Sequence, residues 1–206
     1  RYSVDARWLV PHFEKMLYDN ALLARTYLHA WQTTGEPRFL DVVDSTIGYV
    51  LADLSHADGG RYSAQDADSL PHPGADHAVE GAYYVWTPAQ VAEELRAAGL
   101  AELTDEVCDW YAITEDGNFE GASIPNRLHA PGSPERPAGI EAARIALLEA
   151  RSRRPQPGLD DKVLTAWNGL MISALAEGHR VLGDPRYRAA ATRAASFLLA
   201  KLRTAE

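Results

Sequence analysis

Four short segments hold acids, bases and aromatic rings at spacings that packing alone does not require. The first is Pro11-His12-Phe13-Glu14-Lys15-Met16-Leu17-Tyr18-Asp19-Asn20. Read as the start of a helix, it places His12, Lys15 and Asp19 within about 60° of one another, at the edge of the apolar stripe where a cleft wall would be. A histidine beside a lysine and an aspartate serves as acid, base or hydrogen-bond donor near neutral pH. The same three groups also suit an interhelical ion-pair network. The second segment, Ser63-Ala64-Gln65-Asp66-Ala67-Asp68-Ser69, follows a Gly59-Gly60 turn. Asp66 and Asp68 stand two apart, so an extended chain presents both on one face, and a loop offers them to a cation or to sugar hydroxyls. The glycine and glutamate of an EF-hand loop are absent, and polar loop capping is the alternative to a site role.

The third segment, Glu80-Gly81-Ala82-Tyr83-Tyr84-Val85-Trp86, sets a carboxylate beside aromatic rings. Sugars bind such platforms through their CH faces on rings such as Trp86 and their hydroxyls on carboxylates. The alternating aromatics also read as the core face of a strand. Glu120, in the turn Gly117-Asn118-Phe119-Glu120-Gly121, is a weaker candidate of the same kind. The fourth is Asp160-Asp161-Lys162-Val163-Leu164-Thr165-Ala166-Trp167-Asn168. Here Asp161, Thr165 and Asn168 share one helical face, with Lys162 and Trp167 beside them, while Asp160 suits a helix cap. Catalytic roles are therefore assigned to His12, Lys15, Asp66, Asp68, Glu80 and Asp161. Substrate contacts are assigned to Asp19, Trp86, Glu120, Lys162, Trp167 and Asn168. The remaining histidines, at 29, 56, 72, 77, 129 and 179, lack mutual ligand spacing, so no metal and no cofactor is expected.

The elements that must position these groups are mostly helices. A stripe of Phe13, Met16, Leu17, Ala24, Tyr27, Leu28 and Trp31 predicts a helix over about 12–33. Gly35 stops it, Pro37 restarts the chain, and a second helix runs over about 38–54. The pattern then recurs. Asn20, Gly35-Glu36-Pro37-Arg38-Phe39 and Leu54 are matched by Asn168, Gly183-Asp184-Pro185-Arg186-Tyr187 and Leu202, each at an offset of 148. Three ungapped matches define an internal repeat of a helix hairpin, with helices over about 163–182 and 186–203. Each hairpin buries one face against its neighbours.

An insert of different texture, at about 56–137, separates the repeats. It reads as a strand at 82–86, a helix opened by the capping box Thr87-Pro88-Ala89-Gln90, a short helix at 101–111 and a surface loop at 130–138. A helix at about 140–153 follows. A rigid helical frame with specialised loops in its insert is a common place for function.

Composition excludes some partners. A net charge of −9 disfavours nucleic acid, which needs clustered Lys and Arg. The one basic cluster, Arg151-Ser152-Arg153-Arg154, reads as a solvated helix end. There is no apolar run of membrane-spanning length and no leader-like segment, so no membrane partner is expected. The single Cys108 makes no internal disulfide and reads as a buried apolar residue, which fits a reducing cytoplasm.

Taken in order, the four segments, with Arg1-Tyr2-Ser3-Val4-Asp5 and Trp8-Leu9-Val10 before them, resemble the thioredoxin-domain-containing family that includes spermatogenesis-associated protein 20 and bacterial relatives. Arg61 departs from that pattern, where an aromatic or small residue is expected. The resemblance implies a thioredoxin-like domain upstream and a helical domain similar to six-hairpin glycosidases and N-acylglucosamine 2-epimerases. On this reading the chain is all-α with a short β insert, a fragment of one (α/α) barrel that continues in both directions. Two functions stay open. A carbohydrate-active domain would use two carboxylates for hydrolysis, or His12 as base and Lys15 as enediolate stabiliser for epimerisation. A non-catalytic scaffold would instead bind a partner and present it to the thioredoxin-like domain. The expected partners are a small-molecule substrate, a sugar by preference, and that intramolecular domain.

Overall fold

The computed structural model describes residues 2–130 and 135–203. Positions 131–134 of the expected surface loop, and Arg1 of the first motif, lie outside them. In chain order the elements are β1 (Lys15–Met16), α1 (Leu17–Thr34), α2 (Pro37–Asp53), β2 (Ala64–Gln65), β3 (Asp68–Ser69) and β4 (Val79–Glu80). Then come α3 (Pro88–Ala97), a 3-10 turn (Ala101–Leu103), α4 (Thr104–Tyr111), α5 (Ala138–Ser152), β5 (Leu159–Asp160), α6 (Thr165–Leu182) and α7 (Pro185–Lys201). These sort into two compact units, Arg1–Phe13 with Ala67–Gly158, and Glu14–Asp66 with Leu159–Glu206.

The repeat organises the unit built from Glu14–Asp66 and Leu159–Glu206. Both ends of α1 and α2 reappear 148 positions later as the ends of α6 and α7. The stops are chemically alike. Gly35 and Gly183 are left-handed, at φ 71° and 74°, and their N–H groups donate to Trp31 O and His179 O. A left-handed residue is cheap only for glycine. Pro37 and Pro185 then open the second helices with their φ already set.

Helices α1 and α6 run parallel and in register. The Tyr18 and Trp167 rings lie 4.8 Å apart at one end, and His29 Nε2 meets Glu177 Oε1 at 2.9 Å more than two turns on. Between them and their partners lies a core of Leu17, Leu28, Ile47, Val50, Leu54, Met171, Leu175 and Tyr187. Each large apolar side chain buried there contributes about 1.5–3 kcal/mol. Gly178 lets the Tyr187 ring lie flat on α6, since a Cβ there would come within 2.9 Å of it.

The first helix begins at Leu17, five residues later than its periodicity predicts. Lys15 and Met16 pair instead with Gln65 and Ala64, and β5 adds to the other edge of β2. Leu17 N–H donates to Ser63 O rather than into a helical turn. His12 and Lys15 are therefore not on a helix. The fourth segment differs in the same way: Leu164 is extended and α6 starts at Thr165, so Asp161 lies on the loop between β5 and α6.

The unit built from Arg1–Phe13 and Ala67–Gly158 packs α3, α4 and α5 around Trp86, Val91, Leu95, Val107, Ile113, Ile140 and Leu147. Thr87 and Gln90 form the expected reciprocal capping box. The stretch expected to be a strand at 82–86 is instead a turn. Gly81 is left-handed at φ 73°, and Tyr84 N–H returns to Gly81 O at 2.8 Å. A Cβ at Gly81 would strike the Phe13 ring at 2.8 Å, and that ring stacks on Tyr84 with centroids 5.6 Å apart. The aromatics cluster on Phe13 rather than alternate, and Trp86 alone bridges, to Ser123.

Candidate functional site

A two-residue ladder builds the centre of the site. In the antiparallel pair β3 and β4, Asp68 stands directly opposite Glu80. Residues opposite one another in such a ladder point to the same face with Cβ atoms about 4.5–5.5 Å apart, and like charges so placed weaken the pairing. Both residues are exposed. Two acids picked separately from the sequence are thus brought together.

Glu80 also lines a cleft of about 220 Å³ with Glu120, Phe119, Thr87, Gln90 and Arg154. The turn that supplies Glu120 is tied by Phe119 and Ala122, whose main chains bond each other, and by Asn118, which bonds both main-chain groups of Ile124. Glu120 itself sits at φ 47°, between Phe119 and the left-handed Gly121. A side chain held in that region costs on the order of 1 kcal/mol, and such strain concentrates at functional positions.

Arg154 closes the cleft. Its Nη1 donates to Tyr83 O at 3.1 Å and Val85 O at 2.8 Å, and its guanidinium lies 3.8 Å from the Trp86 ring centroid. Burial, and then the neighbouring Arg151, push its pKa down. Two sequence expectations change here. The cluster at 151–154 is not simply solvated, because Arg154 and Arg151 lie over aromatic rings. Trp86 is buried with one face occupied by Arg154, so that face is not an open platform; the aromatic ring lining the cleft is Phe119, half-buried against Phe13. A tertiary stack of this kind has no local sequence pattern, which is why Arg154 was not legible.

His12 belongs to the same unit. It is half-buried, its ring 4.7 Å from that of Tyr2, and its Nδ1 is buried without a hydrogen-bond partner. Asp5, unremarked in the sequence, shapes the loop before it. Its Oδ1 accepts from Val10 N and Leu9 N at 2.9 Å and from the Ser3 hydroxyl at 2.8 Å, and the Val10 bond, then that of Ser3, hold its carboxyl below the ordinary range.

The other candidates fall in the second unit and are largely bonded within it. Lys15 on β1 has its ammonium 5.7 Å from the Tyr49 ring. Asp19 is half-buried in the first turn of α1, while Asp66 and Asp161 are exposed on loops. Lys162 Nζ grips both carboxylate oxygens of Asp160, at 2.9 and 3.0 Å, and lowers its pKa, with Ser63 second. Trp167 packs on Tyr18. Asn168 is fully buried. Its amide accepts from Arg61 N at 2.8 Å and donates to Arg61 O and Leu164 O. Those bonds leave it no surface for the substrate contact expected of it. They hold the buried Arg61, which burial and Arg193 push below the ordinary arginine pKa.

Cys108 is half-buried, and burial followed by Asp105 and Asp109 raises its pKa, the environment of an inert thiol. Among the described residues no group of three or more His, Cys, Asp or Glu is placed to hold a metal ion. No helix among them is long and apolar enough to cross a membrane.

No protein-family profile matches the chain. It is similar to spermatogenesis-associated protein 20 of Homo sapiens, at 43% identity over 222 aligned residues that cover 96% of this chain and 28% of the human protein. The Mus musculus protein of the same name is 41% identical with the same coverage. An uncharacterized protein of Caenorhabditis elegans is 33% identical over 96% of this chain and 30% of its own length. The chain thus spans about three-tenths of the length of the curated relatives it matches.

Proposed function

We propose that this chain is a segment of the helical domain of the thioredoxin-domain-containing family, and that the domain is carbohydrate-active with Asp68, Glu80 and Glu120 as its working acids. The observation that carries the reading is the cross-strand register of Asp68 and Glu80. Two acids on one face, with Cβ atoms about 4.5–5.5 Å apart, can bring an acid and a nucleophile to one glycosidic bond. The cleft beside them offers what a sugar ring needs: Phe119 for its CH face, and Glu120, Gln90 and Thr87 for its hydroxyls. Hydrolysis is favoured over epimerisation, because His12 and Lys15 do not share a helix face. The (α/α) barrel is part of the same proposal, supported by parallel, in-register inner helices in two equivalent hairpins.

The test is turnover of a panel of 4-nitrophenyl glycosides by this chain and by the full-length protein that contains it. Release of nitrophenol from at least one glycoside, abolished in Glu80→Gln and Asp68→Asn with unchanged melting, supports the proposal. Turnover that survives both substitutions sinks it.

One observation favours a second reading. In the fourth segment Asp160, Lys162 and Asn168 bond one another's surroundings or the main chain. Such a network suits a rigid scaffold that binds a partner and presents it to a thioredoxin-like domain. That reading gains if sugars bind without being turned over.

A further inference from the structure

We propose that a second cleft, between α5 and the C-terminal end of α4, is a binding site for a small organic oxyanion, a phosphate monoester or a carboxylate on an apolar body. The cleft holds about 270 Å³ and is lined by Arg136, Arg144 and Arg151 on one side, against Tyr111, Ile113 and Trp86. Arg144, Leu147 and Arg151 recur along one face of α5 at helical spacing, so the two guanidiniums flank an apolar floor.

Three observations point to a ligand. First, three guanidiniums line the cleft, and two of them share a single carboxylate at its edge. Arg144 grips Glu141 through Nε and Nη2 at 2.6–3.0 Å, and Arg136 touches the same group at 3.4 Å. Glu141 is held below the ordinary carboxylate range chiefly by its hydrogen bonds from Arg144, so it stays ionised. One carboxylate leaves the cleft cationic. Second, Arg151 is not a free surface chain: its guanidinium lies 5.3 and 5.5 Å from the Tyr83 and Tyr84 ring centroids. Third, Arg151 Nε and the Tyr111 hydroxyl are buried without a hydrogen-bond partner. Both atoms belong to residues that line the cleft, and a buried polar atom left unmatched costs about 1–3 kcal/mol, so the cleft favours a ligand that brings an acceptor to its wall.

An oxyanion supplies that acceptor. Guanidinium forks match carboxylate and phosphate oxygens, and charge-assisted bonds of this kind are the strong ones. Trp86, Ile113, Leu147 and Leu148 receive the apolar part. The size is at the small end for ligand pockets. Trp86 forms a wall here and stacks on Arg154 of the Glu80 cleft, but the oxyanion site does not rest on the sugar reading.

Titration of this chain with phenyl phosphate, benzoate and benzyl alcohol, followed by calorimetry and amide chemical shifts, tests the site. Saturable binding of either anion and none of the alcohol is expected, with the tighter anion naming the head group. Arg136→Gln should weaken it by about tenfold. Tyr111→Phe should weaken it by several-fold without lowering the melting temperature, because the hydroxyl has no partner to lose and its unmatched burial is relieved. Equal binding of the alcohol, no saturation by either anion at about 10 mM, or anion binding untouched by both substitutions would overturn the proposal.

Discussion

The two units treat several of their polar motif residues differently. In the repeat unit, Asn168, Asp160, Lys162 and Ser63 are taken up by the main chain or by each other. In the insert unit, Asp68, Glu80 and Glu120 stand exposed, two of them like charges set face to face and the third on a strained backbone. Polar groups that stabilise are bonded inside the fold. Acids at an exposed ladder position and on a strained turn have a different reason to be there, and that contrast is the ground for proposing function in the insert.

The contrast is broken most directly by its largest expected effect. Asn168→Ala strips partners from both main-chain groups of the buried Arg61. Leaving those groups unmatched should cost about 2–5 kcal/mol, whereas Glu80→Gln should stay within about 0.5 kcal/mol of the parent. Urea denaturation of the three proteins decides it, and equal losses would erase the distinction between the units.

Inside the repeat unit the two hairpins sharpen the comparison. Leu54 is fully buried, while its equivalent Leu202 is 41% exposed and Leu199 is 65% exposed. The face that the first hairpin buries in the shared core lies, in the second, on an open apolar groove lined by Ile172, Leu198, Leu199 and Leu202. Leu54→Ala should therefore cost about 2–5 kcal/mol, and Leu202→Ala under about 1 kcal/mol, by the same measurement.

A smaller effect carries the opposite sign. Glu120→Gly relieves the positive φ, and should gain up to about 1 kcal/mol while removing a cleft carboxylate. A gain in midpoint together with lost sugar binding is the expected pair. A loss of stability would show that Glu120 holds the turn rather than serves the cleft.

The smallest effect separates the two helix caps. Asp184 caps α7 by accepting from Arg186 N at 2.8 Å, whereas Glu36, one methylene longer, caps no main-chain N–H of α2 and makes only an exposed ion pair with Arg38 at 3.4 Å. Bonds from Arg186 hold Asp184 below the ordinary carboxylate range. Its contribution is thus present above the unfolded carboxylate pKa and lost as pH falls through the lower, folded one. Asp184→Ala should lower the melting temperature at neutral pH and flatten its fall in acid, and Glu36→Ala should do neither.

The hairpins were legible because their punctuation is local. A left-handed glycine and a proline fix each stop and start, so the offset of 148 held at both ends of both helices. The true start of α1 was not legible. Lys15 and Met16 look helical by periodicity, and only pairing with a strand some fifty residues away converts them. The same limit hid the site. Asp66 and Asp68 look like a pair because they are two apart, yet Asp68 pairs with Glu80, across a connection whose length gives no register. The aromatics at 83–86 alternate like a strand, and it is Phe13, far off in the chain, that gathers them into a turn.

The central claim is that the acids of the insert unit form a sugar cleft. Amide chemical-shift mapping of this chain with glucose, N-acetylglucosamine, maltose and cellobiose tests it. The account predicts that at least one sugar shifts the amides of Gly81, Thr87, Gln90 and Phe119 to Ala122 in a saturable way, and that Glu80→Gln with Glu120→Gln together remove the response. Shifts confined to residues outside that set, or a response unchanged in the double variant, would contradict it.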